Sequence, residues 1–188
     1  MMSGSDPTPP SSDNPEVEYA TPTSEYLRHR LQTMDPSHFE EFVADVWGEL
    51  GWKTRTVGEP GDRGIDVIAT DGDGKQLIQA KRYGPDTTVG SPEVQQYASL
   101  RLQEDGVDDV VIVTTGTFSQ QATSLAPELD VTLVDGETLL EMLDELEAYE
   151  VFVEHFDDIH VVGDEPGRGE TTRTEKGVIG WLREWLGW

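Results

Sequence analysis

Asp66, Gln79 and Lys81 are the residues whose types and spacing could do chemistry. A carboxylate and an amide oxygen are hard ligands of the kind Mg²⁺ (or Mn²⁺) takes, and Mg²⁺ keeps several waters and needs only one or two protein carboxylates. An ammonium beside them can position or deprotonate a water and stabilise charge developing on a phosphate. The three side chains meet if the chain around them is a hairpin. Ile65–Thr70 and Gln76–Arg82 are strand-like runs joined by Asp71-Gly72-Asp73-Gly74, a strong hairpin signal. With the loop centred on Gly72 and Asp73, Asp66 falls directly opposite Gln79, Cβ atoms about 5 Å apart. Lys81, two residues on, projects from the same face. The other face carries Ile65, Val67, Ile78 and Ala80, and that apolar pattern pins the register. A plain alternative is that the polar face is only solvated surface.

The elements around the hairpin must hold it in place. Asp35-Pro36 starts a helix, with Asp35 as N-cap and Pro36 in the first turn. Phe39, Phe42, Val43, Val46, Trp47 and Leu50 make one apolar stripe, closed by Gly51. Glu40 lies beside this stripe and in line with Val43 and Trp47, so it can point inward as a supplementary acid; Glu41 shares a face with Asp45 and should see solvent. A short strand, Lys53–Val57, precedes the Pro60-Gly61 loop. Ser91-Pro92 caps a helix reaching to about Asp105, and Gln95 and Gln96 are read as its exposed face. Val110–Thr114 is a strand buried on both faces, Ser119 starts a further helix, Val131–Val134 is a strand, and Asp135 caps a helix through Leu146. Strands alternating with helices after the hairpin predict an α/β fold with a mixed sheet and helices on both faces.

Composition sets the bounds. The 188 residues contain no cysteine, which excludes disulfides, thiolate metal sites and a cysteine nucleophile. Residues 1–22 are rich in Pro, Ser, Thr and Asp and are expected to be a disordered tail with no secretory signal. Residues 23–147 form the expected domain. Residues 148–188 are an extension comprising a linker and a short Trp-rich helix. No stretch approaches the ~20 apolar residues of a membrane span, so the default location is the cytoplasm. The extension's end, residues 177–188, is expected to pack on its own domain or on the mate of a homodimer, a membrane surface being the alternative. Thirteen basic against 38 acidic residues give a net charge of −25. That opposes phosphate binding at low salt, but in molar salt the Debye length falls to about 3 Å, and a halophile's cytosol would suit such a surface. Lys53, Arg55, Arg63, Lys75, Lys81 and Arg82 cluster in one stretch.

Four segments resemble a known family. Phe39-Glu40 on a helix ending Leu50-Gly51-Trp52 is similar to the first helix of Mrr-like restriction endonucleases, of the PD-(D/E)xK nuclease superfamily. Gly61-Asp62-Arg63-Gly64-Ile65-Asp66-Val67 with Gln79-Ala80-Lys81-Arg82-Tyr83 resembles their D…QxK core, and Thr114-Thr115-Gly116 with Phe118 and Ala122 their downstream segment. The resemblance spans roughly residues 36–143. It implies a restriction-endonuclease-like fold, DNA as partner and DNA cleavage. Glu40, Asp66 and Gln79 would surround Mg²⁺ (or Mn²⁺), with Lys81 as the catalytic lysine. Arg63, Arg82 and Thr115 are candidate DNA contacts. Gln79 departs from the superfamily's commoner carboxylate, although Mrr-like members use Gln there. A Holliday-junction-resolvase-like nuclease and a non-catalytic DNA-binding or interaction module of the same fold are the alternatives.

Overall fold

The computed structural model describes residues 23–57, 64–72 and 74–156. Two helices, α1 (Ser24–Thr33) and α2 (Pro36–Glu49), lead into an antiparallel meander of β1 (Lys53–Thr56), β2 (Val67–Asp71) and β3 (Gly74–Lys81). Then come β4 (Thr88–Val89), α3 (Ser91–Ala98), β5 (Asp109–Thr114), β6 (Thr117–Phe118), α4 (Gln120–Leu125), β7 (Val131–Val134), α5 (Gly136–Glu145) and α6 (Glu150–His155). The main sheet runs β1-β2-β3-β5-β7, with β4 and β6 forming a separate pair. Pairing is antiparallel up to β3 and parallel from β3 through β5 to β7. The switch follows from the connections: a tight turn allows only antiparallel neighbours, whereas α3 and α4 are crossovers that return the chain parallel.

Both faces of the sheet are covered. On one, α1, α2, α5 and α6 bury Phe39, Phe42, Trp47 and Phe152 against Val67, Ala69, Ile78 and Ala80. On the other, α3 and α4 bury Val94, Tyr97 and Ala122 against Ile68, Leu77, Val110 and Ile112. The expected apolar stripe of α2 is buried throughout, and Asp35 caps the helix by accepting from the Ser37 N–H at 2.9 Å.

Several elements differ from expectation. The second predicted helix is capped by Gly90 rather than Ser91, with Glu93 accepting from the Gly90 N–H, and it stops at Ala98. A 3₁₀ turn, Ser99–Leu102, replaces its continuation; the Ser99 hydroxyl donates to the Gln96 carbonyl at 2.6 Å, a local bond that competes with helix propagation. Ile65 joins the core on the α3 and α4 face instead of the Val67 face, because it precedes β2 and lies outside its alternation. Helix α1 and the β4–β6 pair were not foreseen. Helix α6, within the stretch expected to be an extension, folds onto α2, where Phe152 packs on Phe42 at 5.2 Å between ring centroids. Residues 1–22 and 157–188, hence both expected tails, lie outside the described residues.

Candidate active site

The hairpin register is the expected one. Val67 pairs with Ile78 and Ile68 with Leu77, and one step further the Asp66 N–H donates to the Ile78 carbonyl at 3.0 Å. Asp66 and Gln79 therefore stand side by side, and the Gln79 Nε2 donates to Asp66 Oδ2. The same oxygen accepts from the Ala80 N–H at 2.7 Å. The pair is buried, Asp66 being 8% and Gln79 0% exposed. A solvated strand face is thereby ruled out: this face of the hairpin is shared with Ile68 and Leu77 and roofed by α3.

Gln79 Oε1 is buried and has no hydrogen-bond donor among the described residues. A buried acceptor without a partner costs roughly 1–3 kcal/mol, and such a lone pair is what a hard cation satisfies. The oxygens of Asp66 and Gln79 thus fit the donor chemistry of a Mg²⁺-type ion. No cluster of three His, Cys, Asp or Glu exists among the described residues, so a site here leans on the amide oxygen. Gly64 makes room for it. Its φ is +90°, and a Cβ there would stand 3.1 Å from Gln79 Oε1, so the position favours glycine on both counts.

Lys81 lies on the same face, its Nζ 5.4 Å from the centre of the Tyr97 ring. That is within cation–π range, worth about 0.5–2 kcal/mol. Tyr97 was missed in the sequence. The usable signal was its i+3 spacing from Val94, which puts it on the sheet-facing side of α3. The ring is 8% exposed; burial, then the Glu93 and Asp66 carboxylates, raise its phenol above the ordinary value, so it stays neutral. Glu93 is held in turn by the Gly90 N–H and by the Tyr83 hydroxyl, which donates to it at 3.2 Å. Burial and Glu93 push the Tyr83 phenol to about 12.

The Thr114-Thr115-Gly116 segment clamps the end of β3. Thr114 Oγ1 donates to the Lys81 carbonyl, the Tyr83 N–H donates to Thr115 Oγ1, and Thr115 Oγ1 donates to the Tyr83 carbonyl. Thr115 is 1% exposed. Its hydroxyl is engaged with the Tyr83 backbone, and its N–H, the group expected to meet a phosphate, donates to the Lys81 carbonyl at 3.2 Å. Arg82 points to the opposite face, where it is half-buried and its Nη1 donates to the Gln32 carbonyl of α1. Glu40 is half-buried on α2, which packs beneath that same opposite face. Glu41, Gln95 and Gln96 are exposed, and Arg63 lies outside the described residues.

Comparison with known proteins places the sequence in a family. Residues 31–143 match the Mrr catalytic family, described as restriction endonuclease. The type IV methyl-directed restriction enzyme EcoKMrr of Escherichia coli (strain K12) is 39% identical over 132 residues, covering 65% of this chain and 42% of that enzyme. Among solved structures, the DNA modification-dependent restriction endonuclease AspBHI aligns with a TM-score of 0.59 at 20% identity, over 73% of this chain and 40% of its own. The MspJI restriction endonuclease, in complex with a 27-mer oligonucleotide, aligns at 0.51 and 23% identity, over 85% and 40%. Both share the fold, and this chain spans less than half the length of each of these three relatives. More than half of its residues fall within the matched family model, and the chain therefore belongs to the Mrr catalytic family of restriction endonucleases.

Proposed function

We propose that this chain hydrolyses phosphodiester bonds in DNA with a divalent metal, and that it serves in restriction of foreign or modified DNA inside the cell. The observation that carries the reading is the buried Asp66–Gln79 pair, with an unsatisfied Gln79 oxygen, on the same sheet face as Lys81. Asp66 and Gln79 would hold Mg²⁺ (or Mn²⁺), which when bound supplies Lewis-acid polarisation of the phosphate and a more acidic water; Glu40, on the helix beneath the other sheet face, would join them only from around the end of β3. Lys81 Nζ, steadied by the Tyr97 ring, offers protons to the phosphate oxygens where negative charge grows during attack. The buried Tyr97 ring excludes water from one side of that ammonium and so strengthens its field. Asp66 Oδ2, fixed by two donors, keeps its carboxylate oriented toward the same space.

A single site cuts one strand at a time, so breaking both strands calls for a second copy, and a homodimer belongs to the proposal. The methyl-directed and modification-dependent relatives motivate the substrate arm of the test. Purified protein is incubated at high KCl with methylated and unmethylated supercoiled plasmid, in Mg²⁺, Mn²⁺ or EDTA. Nicking or linearisation is expected with either metal, preferentially of the methylated plasmid, and none in EDTA. Undiminished cleavage in EDTA would remove the metal mechanism.

A further inference from the structure

A chain with a net charge of −25 must bring a polyanion to its site with few cations, so the location of each unengaged cation matters. Among the described residues most are committed. Arg28 pairs with Glu137, Lys75 with Glu104 and Arg101 with Asp130. Arg30 lies over the Phe156 ring, Arg82 donates to Gln32, and Lys81 sits against Tyr97. Lys53 and Arg55 remain. Both are exposed, and neither side chain has a hydrogen bond, ion pair or ring contact among the described residues.

Their placement is specific. They stand two residues apart on β1, the outermost strand of the sheet, and so point the same way, about 7 Å apart. That is the scale of one step between successive phosphates. Arg55 pairs with Ile68 and Lys53 with Thr70, so both project from the sheet face that carries Asp66 and Gln79. Arg55 is one strand over and one side-chain step along from Asp66. Helix α2 covers the other face of the meander, whereas α3 and α4 pack over the β5 side of the site face, which leaves these two cations in the open. As the sheet's outer strand, β1 also has an edge without a strand partner among the described residues, and backbone N–H groups are regular phosphate donors.

We infer that Lys53 and Arg55 on the edge strand β1 form a phosphate-contact track that leads the backbone of duplex DNA into the Asp66–Gln79–Lys81 site. The inference rests on the DNA-cleaving reading above. It assigns these residues positioning and not chemistry, because neither reaches the reacting atoms. Cations on an edge strand also serve to discourage strand-to-strand aggregation, and the test must separate the two roles.

Binding of a fluorescently labelled duplex is followed by anisotropy across a KCl series in which circular dichroism shows folded protein, with Ca²⁺ replacing Mg²⁺. Wild type is compared with the double variant K53Q/R55Q and with Arg28→Gln, whose cation is committed to Glu137 on the opposite face. Each phosphate contact contributes about 0.9 to the slope of log affinity against log salt. The double variant should therefore lose roughly 1.8 units of slope, equally on unrelated sequences, whereas Arg28→Gln keeps the wild-type slope. In Mg²⁺ the double variant's KM for DNA should rise with kcat unchanged. An unchanged slope and KM in the double variant, beside a wild type that binds DNA, overturns the track and leaves aggregation control as the role of these residues. A fall in kcat with the slope intact also overturns it. Wild type that neither binds duplex in Ca²⁺ nor cuts it in Mg²⁺ would instead defeat the DNA reading itself, and the track with it.

Discussion

Gln79 places a neutral group at the centre of the proposed site, where charge would bind a metal more strongly. Its Oε1 is buried without a donor among the described residues, while its Nε2 is spent on Asp66. Gln79→Glu keeps the size and adds a negative charge against Asp66. Two carboxylates in contact repel each other, so the variant should melt lower than wild type in EDTA and gain more from added Mg²⁺. By titration calorimetry its Mg²⁺ affinity should rise on the order of tenfold, and that of Gln79→Ala should fall. Equal affinities in all three would remove Gln79 from the metal site. The opposition of Asp66 and Gln79 was legible because a turn of fixed length sets the register of the strands it joins. Their burial was not, nor was Tyr97 beside Lys81, because both depend on α3 crossing over the sheet. The local sequence of the hairpin carries no trace of what covers it. Thr115 shows the converse: backbone amides at a strand end suggest a phosphate contact, yet its N–H donates to the Lys81 carbonyl and its hydroxyl closes a loop to Tyr83.

Elements with their own punctuation were the readable ones. Asp35-Pro36 opens α2, Ser119 caps α4 and Asp135 caps α5, each with its side chain accepting from a backbone N–H in the first turn. The continuous apolar run of β5 announced a strand buried on both sides. Helix α6 has six residues and no side-chain cap, too short for a periodic signal, and its helicity comes from packing on α2. Phe152 is fully buried there. Phe152→Ala should lower unfolding free energy by about 3–5 kcal/mol in urea denaturation. A change under about 1 kcal/mol, the scale of a surface substitution, would mean that α6 is an appendage and not part of the core.

At the scale of the whole molecule, charge is the dominant feature. Carboxylate self-repulsion destabilises a compact state of net charge −25 and is screened as ionic strength rises. The melting temperature is therefore expected to be higher in about 1 M KCl than in about 0.1 M, by scanning calorimetry; a melting temperature independent of salt would remove the basis for the halophilic reading. The mixed sheet was legible from the change in rhythm, from a hairpin to strands separated by helices. Which helix covers which face was not, since it depends on the handedness of crossovers and not on any one segment. No helix among the described residues is long and apolar enough to cross a membrane.

Cleavage by two single-site variants tests the central claim most directly. Asp66→Ala removes the proposed charged ligand and Lys81→Ala the ammonium. Each variant is first shown to be folded by circular dichroism, and each is then assayed on supercoiled plasmid in Mg²⁺ beside wild type. Wild type should cut, and both variants should fall by at least ~100-fold, the scale at which a lost electrostatic or acid–base group is felt. Folded Asp66→Ala and Lys81→Ala proteins that cut at the wild-type rate would contradict the assignment of the hairpin as the active site.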